Sequence, residues 1–125
     1  MSRHDNIVVE KSLSFAIRIV RLYQYLSQQK QEKIMSRQLL KSGTSIGANI
    51  REAIRAQSRN DFISKLNIAL KEASETEYWL ELLYRTDYIT EKEYDSICGE
   101  CKELNRILIS IVRTTKSNEQ DTLKL

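Results

Sequence analysis

No proline interrupts this 125-residue chain, and only three glycines do. These are the strongest chain breakers, so their scarcity leaves few natural stops. No alternating strand pattern of useful length is present, and Lys, Glu, Gln, Leu and Ile are abundant, which together predicts an all-α fold. Cysteine occurs twice, at Cys98 and Cys101, too few for a disulfide framework and in keeping with a reducing cytoplasm. No apolar run approaches the roughly 18 residues of a membrane span. The opening MSRHDNIVVEK lacks the apolar stretch of a signal peptide. The one histidine, His4, falls ahead of the expected helices. A di-metal carboxylate centre takes Glu-x-x-His motifs on two helices, so no metal or other cofactor is expected here. Without an imidazole in the helical region, no Ser or Cys has the usual base, and the chain reads as a non-enzyme.

What is present is helical period, four times over. The first helix is expected from about Asn6 to Gln28, with Asp5 or Asn6 as its cap. It carries two apolar stripes: Leu13, Ala16, Ile17, Val20 and Tyr23 on one, Phe15, Ile19, Leu22 and Leu26 on the other. A surface helix needs only one, so the second requires another contact, and a further subunit is one candidate. A second helix is expected over Ile34–Gln57, cored by Leu39, Gly43, Ile46, Ile50, Ala53 and Ile54. The third runs from a cap at Ser58 or Asn60 to Arg85, on the stripe Phe62, Leu66, Ala69, Ala73, Thr76, Leu80 and Leu83. Thr90 and Glu93 form a capping box, flanked by Ile89 and Tyr94 at the staple positions, which starts the fourth. That helix follows Tyr94, Ile97, Cys101, Leu104, Leu108 and Ile111 to about Thr115, before a polar tail, 116–125, expected to fray. The short connections predict an antiparallel up-down-up-down four-helix bundle over about residues 6–115.

The stretch SGTSIGANI, Ser42 to Ile50, resembles a phosphate loop at first sight. It lacks the Gly-Lys-Ser/Thr ending and the preceding strand of one, and helical pattern lies on both sides. Glycine inside a helix costs roughly 1 kcal/mol relative to alanine. Gly43 and Gly47 therefore predict the close approach of another helix. The Cys98-Gly99-Glu100-Cys101 pair supplies half a zinc site at most and falls mid-helix, so two buried small hydrophobes are expected. A zinc shared between subunits is the other reading.

Charge is uneven. Residues 1–60 carry 11 Lys or Arg against 4 Asp or Glu, and residues 61–125 carry 9 against 13, giving +7 and −4. Basic residues gather on two stripes: Lys11, Arg18 and Arg21 with Tyr25 on the first helix, and Arg37, Lys41, Arg51 and Arg55 on the second, with Arg59 just beyond. Arginine suits phosphate and a neighbouring aromatic can stack on a base, so these are candidate nucleic-acid contacts. The alternative is ion pairing with the acidic third helix, through Glu72, Glu75 and Glu77. Phe15, Ile19, Leu22, Gly43, Gly47 and Trp79 are the candidate helix-packing or subunit-interface residues.

RIVRLYQYL (Arg18 to Leu26), QLLKSGTSIGANIREA (Gln38 to Ala53) and SKLNIALKEASETEYWLELL (Ser64 to Leu83) resemble, in order, the four-helix-bundle family of proteins encoded in 23S rRNA intervening sequences. Relatives of that family include the accessory variability protein of diversity-generating retroelements. The resemblance implies a cytoplasmic bacterial bundle that assembles as a pentameric barrel. It also implies, from the accessory relative, a reverse-transcriptase partner and nucleic acid met by basic surfaces; with the basic stripes above, RNA or a ribonucleoprotein is the expected partner, and an adaptor that docks a reverse transcriptase is the alternative. The cysteine pair is outside the resembling segments.

Overall fold

The computed structural model describes the backbone of residues 3–124 and the side chains of residues 7–118. Four helices account for it: α1 (Arg3–Gln28), α2 (Met35–Ile54), α3 (Arg59–Arg85) and α4 (Glu91–Lys124). Each packs on its neighbour in sequence, α4 closes on α1, and the diagonal pairs α1–α3 and α2–α4 come no closer than 8 Å between Cα atoms. Side-chain contacts run in opposite chain directions across every seam. Ile19 lies at Gly43 and Ser12 at Gly47. Thr76 donates to Ser42 at 3.0 Å, and Lys65 reaches Glu52 at 3.5 Å. Tyr84 stacks on Tyr94, and Cys101 faces Ala73. Arg18 reaches Glu100, and Lys11 reaches Glu103. The bundle is therefore antiparallel throughout, a square of four helices around one core.

That core takes one stripe from each helix: Phe15, Ile19 and Leu26 from α1, Leu39, Ile46 and Ile50 from α2, Leu66, Leu80 and Leu83 from α3, Leu104 and Leu108 from α4. Of the two apolar stripes on α1, the one containing Phe15 and Ile19 is buried. Leu13, Ile17 and Val20 of the other remain exposed. Gly43 explains part of that choice. A Cβ there would lie 2.8 Å from two side-chain carbons of Ile19, which is itself wholly buried, so the two helices meet with no room to spare.

Without proline, and with no glycine in any of the three connections, the turns are made by other means. Gln31 and Asp87 take left-handed backbone (φ 59° and 68°) where glycine is the usual choice. Around Asp87 the amide of Tyr88 donates to Leu83 and that of Asp87 to Tyr84, the Schellman closure of a helix end. Glu32 stops the bare N-terminus of α2: its carboxylate accepts from the amides of Ile34, Met35 and Ser36 at 3.3, 3.2 and 2.8 Å. Ser58 caps α3 by accepting from Asp61 at 3.0 Å. Thr90 and Glu93 exchange both bonds of the capping box, at 2.8 and 3.1 Å. The backbone amide of Thr90 holds the Glu93 carboxyl below its ordinary pKa.

Several expected boundaries move. α1 begins at Arg3, so Asp5 and Asn6 lie inside the helix rather than capping it, and the backbone of His4 is helical; the side chains of these three fall outside the described residues. α2 stops at Ile54, short of Gln57, because Arg55 leaves helical geometry and the amides of Arg55 and Ala56 bond three residues back instead of four. α4 passes Thr115 and continues to Lys124, since nothing in that polar tail breaks a helix.

Candidate nucleic-acid interface

The square arrangement gives each helix one outward face, and the four faces differ in chemistry. On α1 the outward residues are Leu13, Ile17 and Val20. On α2 they are Arg37, Lys41, Ala48, Arg51 and Arg55, all exposed, with Thr44 half-buried beside them. A residue advances 100° around a helix, which places these six on one side, opposite the buried Leu39, Ile46 and Ile50. On α3 the outward face holds Ile68, Glu75 and Tyr78, with Trp79 half-buried and packed edge-on against Tyr78 at 5.1 Å. The indole N–H of Trp79 donates to Glu75 at 3.4 Å.

The basic residues of α1 and α2 fare differently. Lys11 bonds Glu103 at 2.7 Å, and Arg18 bonds Glu100 and the hydroxyl of Ser96, both at 2.8 Å. Lys11 holds the Glu103 carboxyl below the ordinary carboxylate range. These two cations are thereby neutralised within the chain. Arg21, Arg37, Lys41, Arg51, Arg55 and Arg59 are exposed, and no described carboxylate lies within ion-pair distance of any of them. The α2 row spans 18 residues from Arg37 to Arg55, about 27 Å at helical rise. A shallow hollow beside its lower end is lined by Val9, Glu52, Ile54, Arg51 and Arg55.

The acidic partners differ from expectation. Glu77 accepts from Asn105 at 2.9 Å and Glu75 from Trp79, so the carboxylates of α3 look to α4 and to their own helix. The carboxylates that reach α1 come from α4, because α1 lies beside α2 and α4 and diagonal to α3. Lys65 with Glu52 is the one ion pair between α2 and α3 among the described residues, and there the cation is on α3.

Of the expected packing residues, Phe15, Ile19 and Gly43 are buried inside the chain, while Leu22, Gly47 and Trp79 are half-buried at its surface. The cysteines are buried in the α3–α4 seam, where the Cys101 thiol donates to the carbonyl of Ala73. Burial pushes Cys101 up to about 12 and raises Cys98 as well, so both thiols stay protonated. Facing inward, 4% and 0% exposed, they fit the expectation of two buried small hydrophobes. Among the described residues no three His, Cys, Asp or Glu side chains gather where a metal ion could be held. Among the described residues no helix is long and apolar enough to cross a membrane.

One set of exposed cations escapes a reading by halves. Lys102, Arg106 and Arg113 share the outward face of α4, and all are exposed and free of ion pairs. The net acidity of residues 61–125 hides them, whereas their spacing of four and seven residues marks one helix face.

The family model described as 23S rRNA-intervening sequence protein matches residues 4–110. Among solved structures, the chain is similar to a protein of unknown function from the S23 ribosomal protein family of Bacteroides thetaiotaomicron. The two are 64% identical, with a TM-score of 0.87 over 88% of this chain and 98% of the other. Comparison with curated proteins finds none that matches.

Proposed function

This chain belongs to the 23S rRNA-intervening sequence protein family, and from that premise we propose that it is a non-enzymatic cytoplasmic protein that self-assembles and binds structured RNA through the outward row of α2. The observation that carries the reading is the contrast in pairing. Lys11 and Arg18 are neutralised by α4, whereas Arg37, Lys41, Arg51 and Arg55 stand exposed along one face with no carboxylate on them. An unpaired row of cations along one exposed helix face meets phosphates first, and this phosphate-directed contact is what the reading predicts. Four neutralised phosphates give a slope of about −3 to −4 in log K against log salt.

A gel-shift series with a structured RNA at rising salt tests this. Binding at low salt that weakens steeply, and is lost with Arg51→Glu and Arg55→Glu together, is the expected result. No binding at low salt, or binding indifferent to those changes, would sink the reading. An adaptor that docks a reverse transcriptase through the same row, without an RNA site of its own, predicts no RNA binding at low salt.

Assembly rests on two other faces. Leu13, Ile17 and Val20 on α1 are 42%, 47% and 37% exposed, while the diagonal α3 face presents Ile68, Tyr78, Trp79 and Glu75. Two unlike apolar faces favour head-to-tail contact, which gives a ring where the rotation per step closes and a filament where it does not, and the pentamer implied by the resemblance is such a ring. Light scattering checks it: Ile17→Glu converts an oligomer to a monomer, and a wild-type monomer at micromolar concentration defeats the idea.

A further inference from the structure

A polyanion held on α2 leaves the cations of α4 unexplained. Lys102, Arg106 and Arg113 lie within about 40° of one another around the helix, along about 16 Å of its length. All three are exposed and unpaired. Glu100 and Glu103 bond Arg18 and Lys11 on the α1 side, Glu103 also feeling Arg106, while exposed Asp95 lies on the same face seven residues before Lys102. Gly99 and Ser110 leave the row low and open; at Gly99 nothing lies within 4 Å of where a Cβ would be.

Position matters more than number. α2 and α4 are diagonal across the core, so their outward faces look in opposite directions. Lys11 reaches Glu103 while the adjacent Ser12 lies against Gly47, so Glu103 and Gly47 share one level of the bundle. α2 and α4 run the same way, which puts Arg106 and Arg113 level with Arg51 and Arg55, on the other side. With neighbouring axes 8–10 Å apart, the diagonal axes are about 14 Å apart, and a rigid duplex seated on one row cannot reach the other through the core.

We infer that each subunit has a second phosphate-binding face on α4, back to back with the α2 row, and that the protein thereby joins two separate RNA segments. The inference rests on the RNA-binding reading and adds a second face to it. The faces offered for assembly, on α1 and α3, are the other two of the square, so both cation rows stay open in the assembled form.

The test uses the full chain with two copies of one RNA hairpin, one bearing a donor fluorophore and the other an acceptor. Energy transfer at low salt is expected on adding wild-type protein, and also on adding its Ile17→Glu form, which carries one α2 row per particle. Added to Ile17→Glu, the changes Lys102→Gln, Arg106→Gln and Arg113→Gln are expected to leave binding of a single hairpin within about threefold yet abolish transfer. These positions are exposed, and a circular dichroism melt confirms that the variant folds. Transfer unchanged by the three changes overturns the inference, because the α4 cations then hold no RNA. Wild-type binding of a hairpin without transfer overturns it too, and leaves the α2 reading standing. No binding of the hairpin by wild type overturns both.

Discussion

The α1–α2 and α1–α4 seams share a helix and are built on opposite principles. Against α2, α1 packs dry and close: Ile19 fills the space a Gly43 side chain would take, and Ser12 comes to within 3.3 Å of a Gly47 Cβ. Against α4, α1 is held by the pairs Lys11–Glu103 and Arg18–Glu100, with hollows of about 260 and 360 Å³ along the seam. The first hollow is lined by Leu22, Tyr25, Ile89 and Arg21, the second by Phe15, Ser14 and Leu104. Close packing loses heavily when a single atom is added, because interiors approach crystalline density. Exposed ion pairs lose little when removed, because solvent already screens them. The seam that fixes the bundle is therefore the one with glycine in it. The ion-paired seam governs where charge is neutralised and where it is left free.

Gly43→Leu breaks the comparison most directly. Four added carbons have nowhere to go beside a buried Ile19, so a loss of at least about 3 kcal/mol is expected in urea unfolding. A melt within error of wild type would show that the seam yields. Gly47→Ala sharpens the point. Its new Cβ would meet the Ser12 hydroxyl at 3.3 Å, tight but at the end of a small side chain. The gain in helix propensity, near 1 kcal/mol, roughly offsets that contact, so stability stays within about 1 kcal/mol of wild type.

The α1–α4 seam gives the smallest effects. A double-mutant cycle on Arg18 and Glu100 is expected to yield a coupling of no more than about 1 kcal/mol that shrinks with salt. Acid probes the other pair. Glu103 has its pKa lowered in the folded state, so its contribution is complete above the ordinary value of 4.5 and fades as pH falls through the lowered one. Comparing wild type with Glu103→Gln from pH 7 to pH 3 should show curves that converge below about 4.5.

Much of this architecture was legible in the residues. The four helices, the Ser58 cap and the reciprocal Thr90–Glu93 box follow from local pattern, where the cause lies within a few positions of the effect. The glycines were legible as a place of close approach, and the approaching helix is α1 of the same chain. Other features depend on where the chain goes next. Glu32 caps α2 only because Gln31 turns the backbone left-handed ahead of it, and neither side chain signals that alone. The choice between two apolar stripes on α1 was undecidable by period, since it depends on which stripe meets Gly43. The partners of Lys11 and Arg18 depend on α4, rather than α3, closing the square. The row on α4 is masked by the net acidity of residues 61–125 and shows only around that helix.

The order of packing in this square has a kinetic consequence. Three of its four seams join helices that are consecutive in the chain, so most of the core is assembled by closing short loops. Chains with such local contacts fold on the microsecond to millisecond scale. Only the α1–α4 seam must wait for two distant segments to meet, and it is the seam of weak, exposed pairs. The nucleus of folding therefore belongs to the three helical hairpins. Changes at Arg18 or Glu100 act mainly on how fast the finished bundle comes apart.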